Sequence, residues 1–345
     1  MPDTSFLLSV LDIAPVPSGS TPVDAVRNSL DLAKHTDRLG YHRYWVAEHH
    51  NSAGEASSAP AVLVGQIASA TSSIRVGAGG VMLPNHSSLV VAEQFGLLEA
   101  LHPGRIDLGI GRAPVDPLTA QALERPSGAH NGTLFPRQLT DLMSYFGGLD
   151  SAGPVSAVPA SADNHPPLWI LGSSPSSAQL AAALGLPYAF AAHLNGDACI
   201  PSLELYREQF QPSAVLERPY SLVTSMLVAA DTDAEAERLW STLGLAAITM
   251  RKGYVGPYAS PEEAAGYPYT DAEREFLASR LARHLVGGPE TLRRKTEDFM
   301  ARTGADELMA FSLIHDHTAR KRSYEILAGV FGLTGTSQPL LSQVG

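Results

Sequence analysis

The sequence predicts a (β/α)8 barrel, and three observations carry that expectation. Short apolar runs alternate with amphipathic helical stretches, eight times over, from one end of the chain to the other. The apolar runs are nearly continuous, which is the pattern of parallel strands covered on both faces. At 345 residues the chain also has a length at which α/β barrels occur as one domain. We therefore expect a single barrel domain over 1–345 with insertions after strands 4 and 7. An open doubly wound sheet is the competing arrangement.

The first unit sets the pattern. An apolar run over 6–14 leads to Thr21, Pro22 and Asp24, which supply a cap, a first-turn proline and the acid of a capping box. Val23, Val26, Leu30 and Ala33 keep one apolar face, and Gly40 is a left-handed stop. Further strands fall on "YHRYWVAEH", "IRVGAGGVML", "RIDLGIGRA", "PLWILGS", "PYAFAAHL", "YSLVTSMLVAA" and "DELMAFSLIHD". The helices between and after them are expected over 61–71, 89–101, 136–147, 176–184, 201–210, 232–250 and 318–331. Two stretches break the repeat, 113–136 and 251–277. Long excursions inside a compact domain tend to be functional, so both are expected to pass over the barrel mouth. The second contains Tyr254, Tyr258, Tyr267 and Tyr269, which either cover a flat ligand or pack an ordinary loop.

Composition narrows the partners. A formal charge of -11 argues against nucleic acid or an anionic membrane surface, both of which need a basic footprint, and leaves a small molecule. Cys199 is the lone cysteine, so no intrachain disulfide forms, and "MPDTSFLLSV" lacks the basic and apolar regions of a secretory signal. The cytoplasm is the expected compartment. The most apolar window, "LAAALGLPYAFAAHL", is broken by Pro187 and is too short for a membrane span.

In a barrel the chemistry sits at the C-terminal strand ends. Strand two ends "AEHHN", where alternation sends His49 and His50 to opposite sides; one metal ion would struggle to engage both. His49 then faces the mouth as an acid, base or donor with Glu48 and His50 behind it, or is simply packed. In strand three, Gly77, Gly79 and Gly80 point to a bulge or to close approach by a ligand. Neither this stretch nor "LGIGRAP" has the spacing of a dinucleotide fingerprint.

Strand four delivers Arg112, a fixed cation suited to phosphate. Strand five ends "ILGSSPSSAQ", placing Gly172, Ser173, Ser174 and Ser177 at a helix N-terminus, either as an anion site or as a capped turn with spare serines. Together these form a phosphate clamp. His193, His315 and His317 raise a metal hydrolase, but strand one has no His-x-His and no strand end offers a bridging lysine, so no metal ligands are assigned.

The same residues resemble the bacterial-luciferase-like flavin-dependent monooxygenase family. "WVAEHH", "VGAGGVMLPNHSSLVVAEQFGLLEALHPGRIDLGIGRA", "ILGSSPSSAQLAAALGLP" and "TGADELMAFSLIHDHTARKRSYEILA" follow in the family's order and span nearly the whole chain. The resemblance implies a luciferase-like TIM barrel that binds reduced FMN, with His49 as the active-site histidine. It implies a non-prolyl cis peptide between Gly79 and Gly80 behind the flavin ring, and phosphate binding at Arg112, Ser173, Ser174 and Ser177. It also implies a homodimer, and a mobile active-site loop at 251–277. Two positions depart from luciferase itself: Gly111 stands where it has a reactive cysteine, and Ser173 where it has a glutamate. Light emission on an aldehyde is therefore not implied. What is implied is a two-component monooxygenase acting with O2 on a small organic substrate, its reduced FMN coming from a separate flavin reductase because no dinucleotide fingerprint is present. A deazaflavin-dependent hydride transferase of the same fold and a flavin-binding protein without turnover are the alternatives.

Overall fold

A computed structural model describes residues 6–112, 117–123, 134–147 and 154–335. Its strands are β1 (Leu7–Asp12), β2 (Arg43–Val46), β3 (Arg75–Met82), β4 (Ile106–Gly111), β5 (Leu168–Gly172), β6 (Tyr188–Phe190), β7 (Ser221–Ala229), β8 (Leu285–Gly287) and β9 (Glu307–Phe311). Strands β1 to β7 pair in sequence, all parallel, and β9 joins β7 to β1 to close an eight-stranded barrel. All eight expected strands are in it. The unexpected β8 stays outside the closure and pairs only with the end of β7, where Leu227 faces Leu285.

The helices are α1 (Pro22–Leu39), α2 (Pro60–Ala70), α3 (Ser88–Leu101), α4 (Pro117–Ala122), α5 (Phe135–Tyr145), α6 (Pro175–Leu184), α7 (Cys199–Gln209), α8 (Asp233–Arg251), α9 (Pro261–Ala265), α10 (Asp271–Arg283), α11 (Pro289–Thr303) and α12 (His317–Phe331). Local chemistry explains their ends. Thr21 caps α1 by accepting from the Asp24 N–H, and Gly40 ends it in the left-handed conformation. The face of α1 differs from the expected stripe. Ala25, Ser29, Leu32, Ala33 and Thr36 are the buried set, while Val23 and Val26 are exposed. The Ser29 carbonyl on this face accepts a bond from Tyr44 Oη of β2.

Two apolar layers result. The outer one joins strand faces such as Val10, Tyr44 and Val76 to the helices; the inner one fills the barrel with Leu11, Trp45, Trp169, Leu222 and Met309. Below the inner layer sits a buried ion cluster. Arg43 bonds Glu307 at 2.8 Å and Asp107 at 2.9 Å, and its guanidinium lies 4.7 Å from the Trp169 ring. Burial opposes ionisation of Asp107, yet Arg75 and Arg43 outweigh it and hold the carboxyl well below the usual range. On the outer side, the buried Asp12 carboxylate accepts from Ala14 N, Tyr44 Oη and Arg320.

The stretch 251–277 contains α9 and the first half of α10, each begun by a capping box, Ser260 with Glu263 and Thr270 with Glu273. It returns to the loops after β1 and β2: Tyr258 N donates to Val16 O, and Ser18 N to Tyr258 O. Its four tyrosines do not form one cover. Tyr258 is buried, Tyr254 is exposed, and Tyr267 and Tyr269 pack on each other at 4.8 Å beside Lys252. Of 113–136, residues 113–116 and 124–133 lie outside the described residues. No helix among the described residues is long and apolar enough to cross a membrane.

Candidate active site at the barrel mouth

Trp45 and Ala47 belong to the inner layer, and Tyr44 and Val46 to the outer one. Continuing that alternation gives His49 the inward parity and Glu48 and His50 the outward one. Glu48 is buried, and its carboxylate accepts from Met82 N at 2.9 Å, Asn85 Nδ2 at 3.0 Å, His86 Nε2 at 2.9 Å and His50 Nε2 at 2.8 Å. Burial raises its pKa, but those bonds, led by His86, outweigh it and leave the pKa lowered. Glu48 thus ties the end of β2 to the end of β3. It holds the backbone that carries His49 rather than the His49 ring.

The backbone N of His49 donates to Ser57 O at 2.8 Å, and its nearest carboxylate is Glu55, 4.0 Å from Nδ1. Nδ1 is buried without a hydrogen-bond partner. The ring opens on a depression of about 820 Å3 that Val23, Val26 and Glu55 also line.

In β3 the peptide between Gly79 and Gly80 is cis, and the register with β4 shifts between Gly79 and Val81. Neighbouring strands take up the space of the missing side chains. A Cβ on Gly77 would come within 2.6 Å of Asp107, one on Gly79 within 2.6 Å of Trp45, and one on Gly80 within 2.6 Å of Gly109 O. Close packing inside the barrel therefore requires these glycines with or without a ligand. At Gly111, Met82 Cε lies 2.5 Å from where a Cβ would stand, so the methionine fills the place of a larger residue.

The two halves of the expected clamp come level. Ile110 pairs with Ile170 in the β4–β5 register, which carried two residues further sets Arg112 beside Gly172. Arg112 is exposed and forms no ion pair among the described residues. Ser174 is the N-cap of α6, yet its side chain makes no capping bond and lies 3.0 Å from Ser176 Oγ. The start of α6 thus keeps donors for an anion. Ser177 faces inward, donating to Ser174 O at 2.7 Å and meeting Tyr188 Oη at 2.9 Å. Gly172 makes room for it, since a Cβ there would stand 2.0 Å from Ser177 Oγ. Asn195 Nδ2 donates to Ser173 O at 3.0 Å and steadies the turn from the β6 side.

Sequence reasoning gave His193 no role. The structure puts it at the end of β6, with Nδ1 2.5 Å from Thr224 Oγ1 and the ring 5.1 Å from Phe311. Burial, reinforced by His49 and Arg280, pushes its pKa down to about 4. His49 is close enough for its charge to act on His193. The remaining histidines of the last strand end are structural: His315 Nε2 lies 3.1 Å from Ser18 O, and His317 bonds Asp31 at 2.9 Å. Between them Asp316 caps α12. Among the described residues no group of three or more His, Cys, Asp or Glu is placed to hold a metal ion.

Comparison with known proteins gives the family and the fold. The Luciferase-like monooxygenase family matches residues 5–122 and 140–307. A luciferase-like monooxygenase of Escherichia coli is 44% identical over 331 residues, 96% of this chain and 98% of that protein. The crystal structure of apo-MsnO8 superposes with a TM-score of 0.87 at 39% identity, covering 96% of this chain and 100% of that one. Two distant structures share the fold alone. The oxygenating constituent of 3,6-diketocamphane monooxygenase from Pseudomonas putida, in complex with FMN, has a TM-score of 0.72 at 19% identity, covering 96% and 99% of the two chains. An F420-dependent secondary alcohol dehydrogenase has a TM-score of 0.65 at 17% identity, covering 94% and 99%. With the family match covering most of the chain, and the barrel and its mouth as described, the protein belongs to the luciferase-like monooxygenases, a family of oxidoreductases.

Proposed function

We propose that the protein is a two-component monooxygenase that takes reduced FMN from a separate flavin reductase and uses O2 on a small organic substrate. One observation carries the reading: an unpaired arginine and an uncapped helix N-terminus stand level on neighbouring strands, at the same mouth that presents His49. Arg112 and the Gly172–Ser173–Ser174 turn fit a phosphate monoester, with Ser177 propping the turn through Ser174 and Tyr188. The cis Gly79–Gly80 segment would lie behind the flavin ring. When bound, reduced FMN would supply the electrons and the site of oxygen activation.

The chain's own part is placement and protons. His49 lines the depression, and its imidazole is suited to holding or passing a proton at the reacting centre. Glu48 fixes the backbone beneath it. Trp45 and Trp169 seal the barrel below the mouth against water. The deazaflavin alternative draws support only from shared fold, as the F420-dependent dehydrogenase illustrates. We further propose a cytoplasmic homodimer, which suits a chain with one cysteine and a soluble reductant.

The test is oxygen uptake with FMN, NADH and a general flavin reductase across a substrate panel. Formation of an oxygenated product that depends on FMN supports the reading. Hydride transfer with a deazaflavin and no oxygen uptake refutes it.

A further inference from the structure

A second recess, of about 570 Å3, lies beside the mouth between the end of β6, β7, α10 and α11. In a chain of net charge -11 its lining holds three guanidinium groups, those of Arg280, Arg283 and Arg302. Arg283 is answered by Asp197 at 3.0 Å, an exposed pair at the rim. Arg280 has no acid within ion-pair distance among the described residues, and its Nε is buried without a hydrogen-bond partner. An unpartnered guanidinium nitrogen shut away from water gains most when an oxyanion reaches it. Burial, and then the charge of Arg283, lower the Arg280 pKa, as expected of a cation lacking a counter-charge.

The remaining lining says what the rest of the ligand must be. Phe276 lies under Arg280, with the guanidinium 5.7 Å from its ring, and Phe299 adds apolar wall. His193 lines the recess as well, and its ring lies 5.1 Å from that of Phe311 in the inner layer, so the recess reaches the barrel interior at the strand ends. Its Nε2 has no protein partner among the described residues.

We propose that this recess holds the carboxylate of an organic-acid substrate, anchored by Arg280, with the substrate's apolar part running past His193 to the reaction site. The substrate class rests on the flavin reading of the mouth; the anion site does not. A phosphate of the cofactor is the competing oxyanion, and Arg112 with the α6 turn already answers it.

The probe is hexanoate, titrated calorimetrically into the flavin-free protein, with hexanamide as its uncharged control. Helix α10 has no fully buried residue, so Arg280→Ala leaves the fold intact, and circular dichroism checks this. The expected result is saturable hexanoate binding at least tenfold tighter than hexanamide. Arg280→Ala should abolish that preference and Arg280→Lys should restore part of it, with the FMN dissociation constant unchanged in both variants. The proposal is overturned if wild-type protein binds no hexanoate or binds acid and amide alike. It is also overturned if Arg280→Ala weakens FMN while leaving hexanoate untouched. Failure of FMN to bind at all would instead strike the monooxygenase reading, because the hexanoate titration uses no flavin.

Discussion

Replacing Arg112 with alanine removes the cationic side chain of the proposed phosphate clamp and leaves the α6 turn in place. The residue is exposed and forms no ion pair among the described residues, so the substitution breaks no internal bond and the fold should be untouched. A charge-assisted hydrogen bond to phosphate contributes about 1.5–3 kcal/mol. At about 1.4 kcal/mol per tenfold change, FMN should bind roughly 10- to 100-fold more weakly. Exposure argues for the lower part of that range, because water and salt screen the charge. Riboflavin, which has the same ring without the phosphate, supplies the control. Anaerobic titration of both reduced flavins, followed by flavin fluorescence or absorbance, should show the loss for FMN and none for riboflavin. Equal losses for the two flavins, or no loss for either, would refute the clamp.

Three other outcomes follow from the same structure. Arg43→Ala leaves Glu307 without its buried counter-charge and should lower stability by about 3–5 kcal/mol, read from the urea midpoint; adding Glu307→Gln should recover part of the loss, and a change below about 1 kcal/mol contradicts the pairing. His49→Ala should cut turnover well over tenfold while the FMN dissociation constant moves less than about threefold, and equal losses in both would remove its assigned role. Burial holds His42 and His193 at about 4 and His284 at about 3, whereas the unfolded chain titrates near ~6.5. The unfolded state therefore binds more protons between those values. Stability should be full above pH ~6.5 and fall as pH drops toward 4; a flat urea midpoint across that window would contradict the burial of these rings neutral.

What could be read in the sequence was whatever has a strong local signature. Most barrel strands are apolar runs, and the helices between them, with α12, fall between those runs and begin or end at proline, glycine or a capping residue. The strand β8 is three residues between His284 and Gly288 with no longer apolar run around them, unlike β6, and α10 has no fully buried residue, so neither leaves an apolar trace. The signals for this region were the capping boxes at Ser260 and Thr270 and the Pro289 to Gly304 punctuation of α11.

The site followed the same rule. Strand-end residues such as His49, Arg112 and Ser174 were visible because alternation and turn chemistry act over a few positions. The Glu48 hub joins residues 34 to 38 positions apart, and no local pattern reports it. The glycines of β3 suggested a bulge or a ligand; the register shift between Gly79 and Val81 is there, and the close approach they allow is to Trp45 and Gly109 of the adjacent strands. His193 and Arg280 meet only through the fold.

The most direct test of the central claim is to load the protein anaerobically with reduced FMN and mix it rapidly with oxygenated buffer while recording absorbance. The expected result is tight binding of the reduced flavin and a transient species, distinct from oxidised flavin, that outlasts the reaction in free solution and decays faster when the right substrate is present. Re-oxidation at the rate of free flavin, or failure of reduced FMN to bind, would contradict it.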